Sequence, residues 1–241
     1  MSVSSALFAA CNLAWAKTSS ESPELPTYVP SRYSYVRLKH IITSMMYSAL
    51  NVRPNLLSEP SLHDSYWFIA IGYFNVILPS FFPASQDLAP TFWHRSREAK
   101  KQSTAAMKTP MLISRCRQMA CERSERAQTF ARQDDGKPVK PTQKPVSLFG
   151  NASERPPSKA LIGLSLLGNL DAMYKHATYP GIRLHTLTTG SRQRSGGMLL
   201  FGYTFAGKLW ISLGYDENGF DKSVVEKFWR NMLQVVDDYM S

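Results

Sequence analysis

The alternation of apolar and polar positions divides the chain into short elements. Ser4 to Lys17 sets Ala, Leu and Trp at helical spacing, which predicts an opening helix packed inward. Thr18 to Pro30 is rich in Ser, Glu and Pro and reads as a loop; Tyr28 to Met45 has no clear period and reads as an inserted segment. Ser48 to Pro54 predicts a short strand stopped by proline. Tyr66 to Leu78 predicts a longer one, apolar on both faces, and both strands are expected in the centre of a sheet. Thr91 to Ala106 and Met111 to Arg132 have helical composition and are parted by Pro110, which breaks a helix. Asp134 to Pro157 is a polar linker.

Lys159 to Leu167 and the alternating Ile182 to Thr188 predict two further strands. Met198 to Phe205 and Lys208 to Tyr215 flank Ala206-Gly207, the signature of an antiparallel hairpin. Asp221 caps a closing helix whose Val225, Phe228, Trp229, Met232 and Val236 form one apolar stripe. Strands and helices mix without a strict βαβ repeat. The fold class expected is therefore α+β, a mixed sheet with flanking helices on one face.

Composition adds limits. A chain of 241 residues with 44% hydrophobic residues buries a real core, and 15 prolines agree with many short elements. The net charge of +10 is concentrated, because Thr91 to Pro145 holds thirteen Lys and Arg against five acids. Three readings of that stretch stay open: a solvated helix face, a site for an anion such as a coenzyme A phosphate, or nucleic acid. No zinc-finger, helix-turn-helix or RNP motif supports the last. Three cysteines, with CRQMAC spacing, match no common metal pattern. The apolar start lacks a basic n-region, and Asn75 and Pro79 interrupt the run from Trp67 to Phe82; the expectation is a cytoplasmic protein without a membrane span.

Several segments carry a resemblance. Asn51-Val52-Arg53-Pro54, Gly72-Tyr73-Phe74-Asn75-Val76-Ile77-Leu78-Pro79, Ser165-Leu166-Leu167-Gly168 and the closing hairpin and helix resemble, in this order, the second subdomain of fungal condensation-domain-like acyltransferases of the chloramphenicol-acetyltransferase superfamily. Leu166 departs from the Asn usual in the third motif. The resemblance implies that residues 1–241 form one C-terminal-type subdomain, with segment 28–45 inserted and linker 134–157. It implies acyl transfer from a thioester, acyl-CoA or acyl-carrier protein, to an alcohol or amine of secondary metabolism, with no bound cofactor and no metal. Tyr73, Asn75 and Ser165 are then expected to bind substrate, and Arg192 and Arg194, in the Gly190 to Gly197 loop, the donor.

In that family the base is the His of an H-x-x-x-D motif from the first half. None of the five histidines here begins that motif; His94-to-Glu98 is the nearest miss and falls in a helix. No catalytic residue is therefore assigned, and the resemblance alone leaves this chain incomplete, as an N-terminally shortened reading frame would be. Arg53 matches an Arg that holds the motif's Asp. It is assigned a structural role, met by water or by another carboxylate. A rival reading makes the chain a non-catalytic binding or scaffold fragment that pairs with a separate half or a carrier protein.

Overall fold

A computed structural model of the chain describes residues 2–21, 43–56, 70–81, 87–138, 160–174, 176–191, 193 and 196–240. The elements are α1 (Val3–Glu21), β1 (Thr43–Asn51), β2 (Ile71–Pro79), α2 (Ala89–Lys108), α3 (Leu112–Asp134), β3 (Ala160–Asn169), β4 (Met198–Phe205), β5 (Lys208–Tyr215) and α4 (Lys222–Met240), with single 3-10 turns at Arg53–Asn55 and His176–Thr178. The strands form one sheet in the order β2-β1-β3-β4-β5. β1, β3 and β4 run parallel, and β5 returns antiparallel to β4. The expected mixed sheet with flanking helices is therefore present. The chain groups into two compact units, residues 1–49, 74–106 and 160–241 in the first and 50–73 and 107–159 in the second.

In the first unit α1 is the core helix. Ser5 to Ala14 is buried without a break, because small Ala, Ser and Cys side chains let neighbours approach on every side. Phe8 meets Phe74 of β2 at 6.2 Å between ring centroids, and Trp15 meets Phe228 of α4 at 6.0 Å. A Cβ on Gly202 of β4 would lie 2.7 Å from Leu7 Cδ1, so a larger residue there would force the Leu7 side chain to shift. The predicted stripe on α4 is buried at Val225, Phe228 and Met232. Asp221 caps this helix, accepting the Ser223 amide at 2.8 Å.

α2 contributes Phe92, Arg95, Ser96 and Ala99 to the same interior. Arg95 departs from the solvated-face reading of the basic stretch, being 3% exposed. Its Nη1 donates to Asn12 Oδ1 at 2.7 Å, and Asn12 Nδ2 donates to Ser44 Oγ at 2.6 Å and to the Pro79 carbonyl at 2.9 Å. Burial lowers the Arg95 pKa from its ordinary value.

Three strand expectations change. β2 is an edge strand with one buried face: Gly72, Phe74, Val76 and Leu78 point inward while Ile71, Asn75 and Ile77 are exposed. Its backbone is capped by Gln102 of α2, whose side-chain amide accepts the Ile77 N–H and donates to the Ile77 carbonyl, each at 2.8 Å. β1 begins at Thr43, so Thr43 to Met45 of the segment read as an insertion opens a strand; the rest of that segment, and most of linker 134–157, lie outside the described residues. The strand ends at Asn51, and Arg53-Pro54 forms a 3-10 turn instead, since proline suits a helical first turn. Ile182 to Thr188 is not a strand. The alternation there promised a half-buried face, but no neighbouring strand is present among the described residues.

In the second unit α3 packs by a narrow stripe, with Leu112, Cys116 and Met119 half-buried and no residue fully buried. A Cβ on Gly72 would overlap the Cys116 side chain. The glycine of the Gly72-Tyr73-Phe74-Asn75 motif thus makes room for this helix.

Candidate functional site

The face of the sheet turned away from α1 carries the polar residues of interest. Phe74 lies against Phe8, so its neighbour Asn75 points to the opposite face. Gly202 faces Leu7, and so does Leu200; the register sets Leu164 beside Leu200 and Ser165 beside Phe201, which places Ser165 on the face of Asn75. β1 follows the same logic, burying Ser44, Met46 and Ser48 and turning Tyr47 outward.

Two hydrogen bonds fix β1 against β2. The Val52 amide donates to Ala70 O at 2.9 Å, and Ser44 Oγ to Leu78 O at 3.5 Å. The strands are therefore antiparallel. Both spans count the same number of residues, so an unbroken ladder sets Tyr47 opposite Asn75. On its other side Tyr47 pairs with Gly163 of β3, and a Cβ at Gly163 would strike the Tyr47 ring. The tyrosine fills the space that the glycine leaves. Asn75, Tyr47 and Gly163 thus form one row across three strands, and Ser165 stands two residues farther along β3.

This row offers neutral hydrogen-bonding groups only. The Asn75 amide and Ser165 hydroxyl hydrogen-bond to no described residue. They suit a ligand's carbonyl or hydroxyl, and can stabilise developing negative charge on oxygen. No His, Asp or Glu belongs to the row, so it contains no general base. Just beyond, a bulge between Leu166 and Gly168 shifts the register with β4, which resumes at Gly168 opposite Tyr203, and Gly168 takes φ +79°, a conformation that favours glycine. This accounts for the glycine of the Ser165-Leu166-Leu167-Gly168 motif.

The remaining expected residues are not gathered on this row. Tyr73 belongs to the second unit, where the Arg123 guanidinium lies 3.9 Å from its ring centroid. Arg192 and Arg194 lie outside the described residues. Arg53 is half-buried at the start of its 3-10 turn, and its amide donates to Asn51 Oδ1 at 3.0 Å. Glu98, the acid of the His94 near-miss, lies 4.0 Å from Lys101 instead. Tyr47 was missed in the sequence because it precedes the stretch read as a strand.

A second constellation escaped the motif search because its order is reversed. Asp171 precedes His176 by five residues, and His176 Nε2 lies 3.0 Å from Asp171 Oδ1. The same carboxylate accepts the amides of Ala206 at 2.7 Å and Gly207 at 2.9 Å, the turn residues of the β4–β5 hairpin. Both have positive φ, 52° and 69°, as a type I′ turn requires. The Gly207 amide, followed by the His176 and Ala206 contacts, holds the Asp171 pKa below its ordinary value against a smaller opposing effect of burial. His176 rests on Phe205, ring centroids 5.1 Å apart. Positions 201 and 205 are about 13 Å apart along β4, so the dyad anchors the hairpin and stands away from Ser165. The hairpin was legible in sequence; its carboxylate clamp was not.

Other reactive groups are quiet. Cys11 is fully buried, and burial pushes its thiol up to about 12, so it stays protonated. Among the described residues no group of three or more His, Cys, Asp or Glu is placed to hold a metal, and no helix is long and apolar enough to cross a membrane. Asp216 and Asp221 serve turns and a cap, Asp216 Oδ2 accepting the Gly196 amide at 2.8 Å.

No family model and no curated protein matches the chain. Among solved structures it is similar to the trichothecene 15-O-acetyltransferase of Fusarium sporotrichioides, with a TM-score of 0.60 and 10% identity, over 97% of this chain and 40% of that one. The epimerization domain from the third module of tyrocidine synthetase B gives 0.48 at 11% identity, over 99% and 42%. The condensation domain studied for chain release from the enacyloxin polyketide synthase gives 0.46 at 12%, over 98% and 35%. The first likeness establishes the fold: a mixed sheet with flanking helices of the chloramphenicol-acetyltransferase-like kind, in a chain spanning 40% of the acetyltransferase's length.

Proposed function

We propose that this chain is the substrate-positioning lobe of an acyltransferase that moves an acyl group from a thioester, acyl-CoA or an acyl-carrier protein, to an alcohol or amine of secondary metabolism. The observation that carries the reading is the row Asn75–Tyr47–Gly163 with Ser165 beside it, a set of uncharged hydrogen-bonding groups on the α1-distal face of an acyltransferase-type sheet. Such groups orient a carbonyl and steady the oxyanion formed when a nucleophile attacks it. The proton of the attacking hydroxyl or amine needs a base, and the row has none. In this reading that base is supplied from outside the row, and Arg192 and Arg194 meet the donor's phosphates.

The test is an equilibrium titration of the 241-residue chain with acetyl-CoA, followed by assay of acetyl transfer to small alcohols and amines. Saturable binding, weakened about tenfold when Asn75→Ala and Ser165→Ala are combined (about 1.4 kcal/mol), together with transfer at the buffer rate, is expected. No binding, or transfer by the chain alone that survives the double substitution, overturns the reading.

A further inference from the structure

The segment Ile182 to Thr188 has the sequence of a strand and none of its pairing. Its ends are tied down. The Ile182 amide donates to Tyr179 O at 3.0 Å, the Tyr203 hydroxyl donates to the Leu187 carbonyl, and Ser212 Oγ donates to Thr189 O at 3.5 Å. Between these ties, the backbone groups of Arg183, Leu184, His185 and Thr186 make no hydrogen bond to any described residue. Backbone N–H and C=O groups left without partners beside a sheet can serve as a template for another chain.

The side chains point the same way. Ile182 is 63% exposed and Leu184 44%, although isoleucine and leucine favour burial. Met173, Tyr174 and Tyr179, just before them, are exposed as well. At the foot of the segment, Thr189 Oγ1 is buried and lacks a partner among the described residues. Charge then selects the partner. From Ala172 to Tyr215 the sequence contains no Asp or Glu, and the exposed Arg183 lies within the segment itself, which disfavours a second copy of this segment and favours an acidic partner.

We infer that Ile182 to Thr188 is a docking strand, which pairs by its backbone with a β-strand of a partner polypeptide that alternates apolar and acidic residues. Backbone hydrogen bonds would give affinity, Ile182 and Leu184 apolar contact, and Arg183 the preference for acidic neighbours. This inference stands on the segment itself and is independent of acyl transfer.

The test uses the full chain and a fluorescein-labelled octapeptide alternating valine and glutamate, with a valine and lysine octapeptide as control. Fluorescence anisotropy should show at least tenfold tighter binding of the glutamate peptide, and hydrogen exchange at Arg183 to Thr186 should slow at least tenfold on binding. Leu184→Pro removes an amide donor and should lose the binding. Should that variant misfold, Arg183→Glu, on an exposed side chain, should weaken the glutamate peptide's binding and narrow its advantage over the lysine peptide. Equal binding of the two peptides, binding without slowed exchange, or an undiminished Arg183→Glu variant overturns the inference. So does slowed exchange that depends on protein concentration alone, which would mean that the segment pairs with a second copy.

Discussion

Arg95 donates from Nη1 to Asn12 Oδ1 at 2.7 Å, in a core where both residues are almost fully buried. A guanidinium there needs acceptors, and among the described residues those it finds are neutral: the Asn12 amide and the Phe81 carbonyl. The same asparagine turns its donor toward Ser44 and Pro79, so one side chain ties α1, β1, β2 and α2 together.

Asn12→Ala is therefore expected to cost about 3 kcal/mol, because it strands part of a buried charge. Urea unfolding measures this directly. Arg97→Met, on an exposed side chain of the same helix, serves as the control and should stay within about 0.5 kcal/mol of the parent. Equal effects would remove the special standing of the Arg95–Asn12 pair.

The Asp171 clamp predicts an acid-sensitive hairpin. Its folded pKa is depressed below the ordinary 3.8, so between the two values the unfolded chain binds more protons and stability rises with pH. The contribution is complete above pH 3.8 and fades as pH falls through the folded value. The Asp171 carboxyl carbon, followed by NMR, should titrate with a midpoint under 3.8. Asp171→Asn should melt at a lower temperature at pH 7 and lose part of the acid dependence seen below pH 4. A midpoint at or above the ordinary value would contradict the clamp.

Gly163 and Tyr47 should be energetically coupled. Gly163→Ala pushes a methyl group into the tyrosine ring, and overpacking of this kind costs roughly 1–3 kcal/mol. In a Tyr47→Ala background the same change should cost less than about 1 kcal/mol, since the ring is gone. A double-mutant cycle by chemical unfolding reads the difference. Additive effects would show that the ring does not occupy the glycine's space.

What the sequence made legible follows from periodicity. α1, α2, α3, the β4–β5 hairpin and α4 were read within a few residues, because helical spacing and a Gly-containing turn are local signals. Asn75 and Ser165 were read as site residues and share one sheet face, which β1 joins through Tyr47. The misreadings share a cause, that burial depends on neighbours the sequence does not show. Tyr66 to Leu78 read as buried on both faces, yet Ile71 and Ile77 are exposed on an edge strand. Arg95 was one of thirteen basic residues in a stretch with three open readings, and none of the three placed a guanidinium in the core beside Asn12. Ile182 to Thr188 alternates like a paired strand and has no pair among the described residues.

The central claim is that the Asn75–Tyr47–Gly163 row and Ser165 receive the reacting end of an acyl thioester. Hydrogen exchange of the full chain with and without saturating acetyl-CoA tests it most directly. Slower exchange at Met45 to Ala49, at Phe74 to Val76 and at Gly163 to Leu166 is the result expected. Protection restricted to the basic helices α2 and α3, with the strands unchanged, would show that the thioester is held by charge alone and would contradict the account.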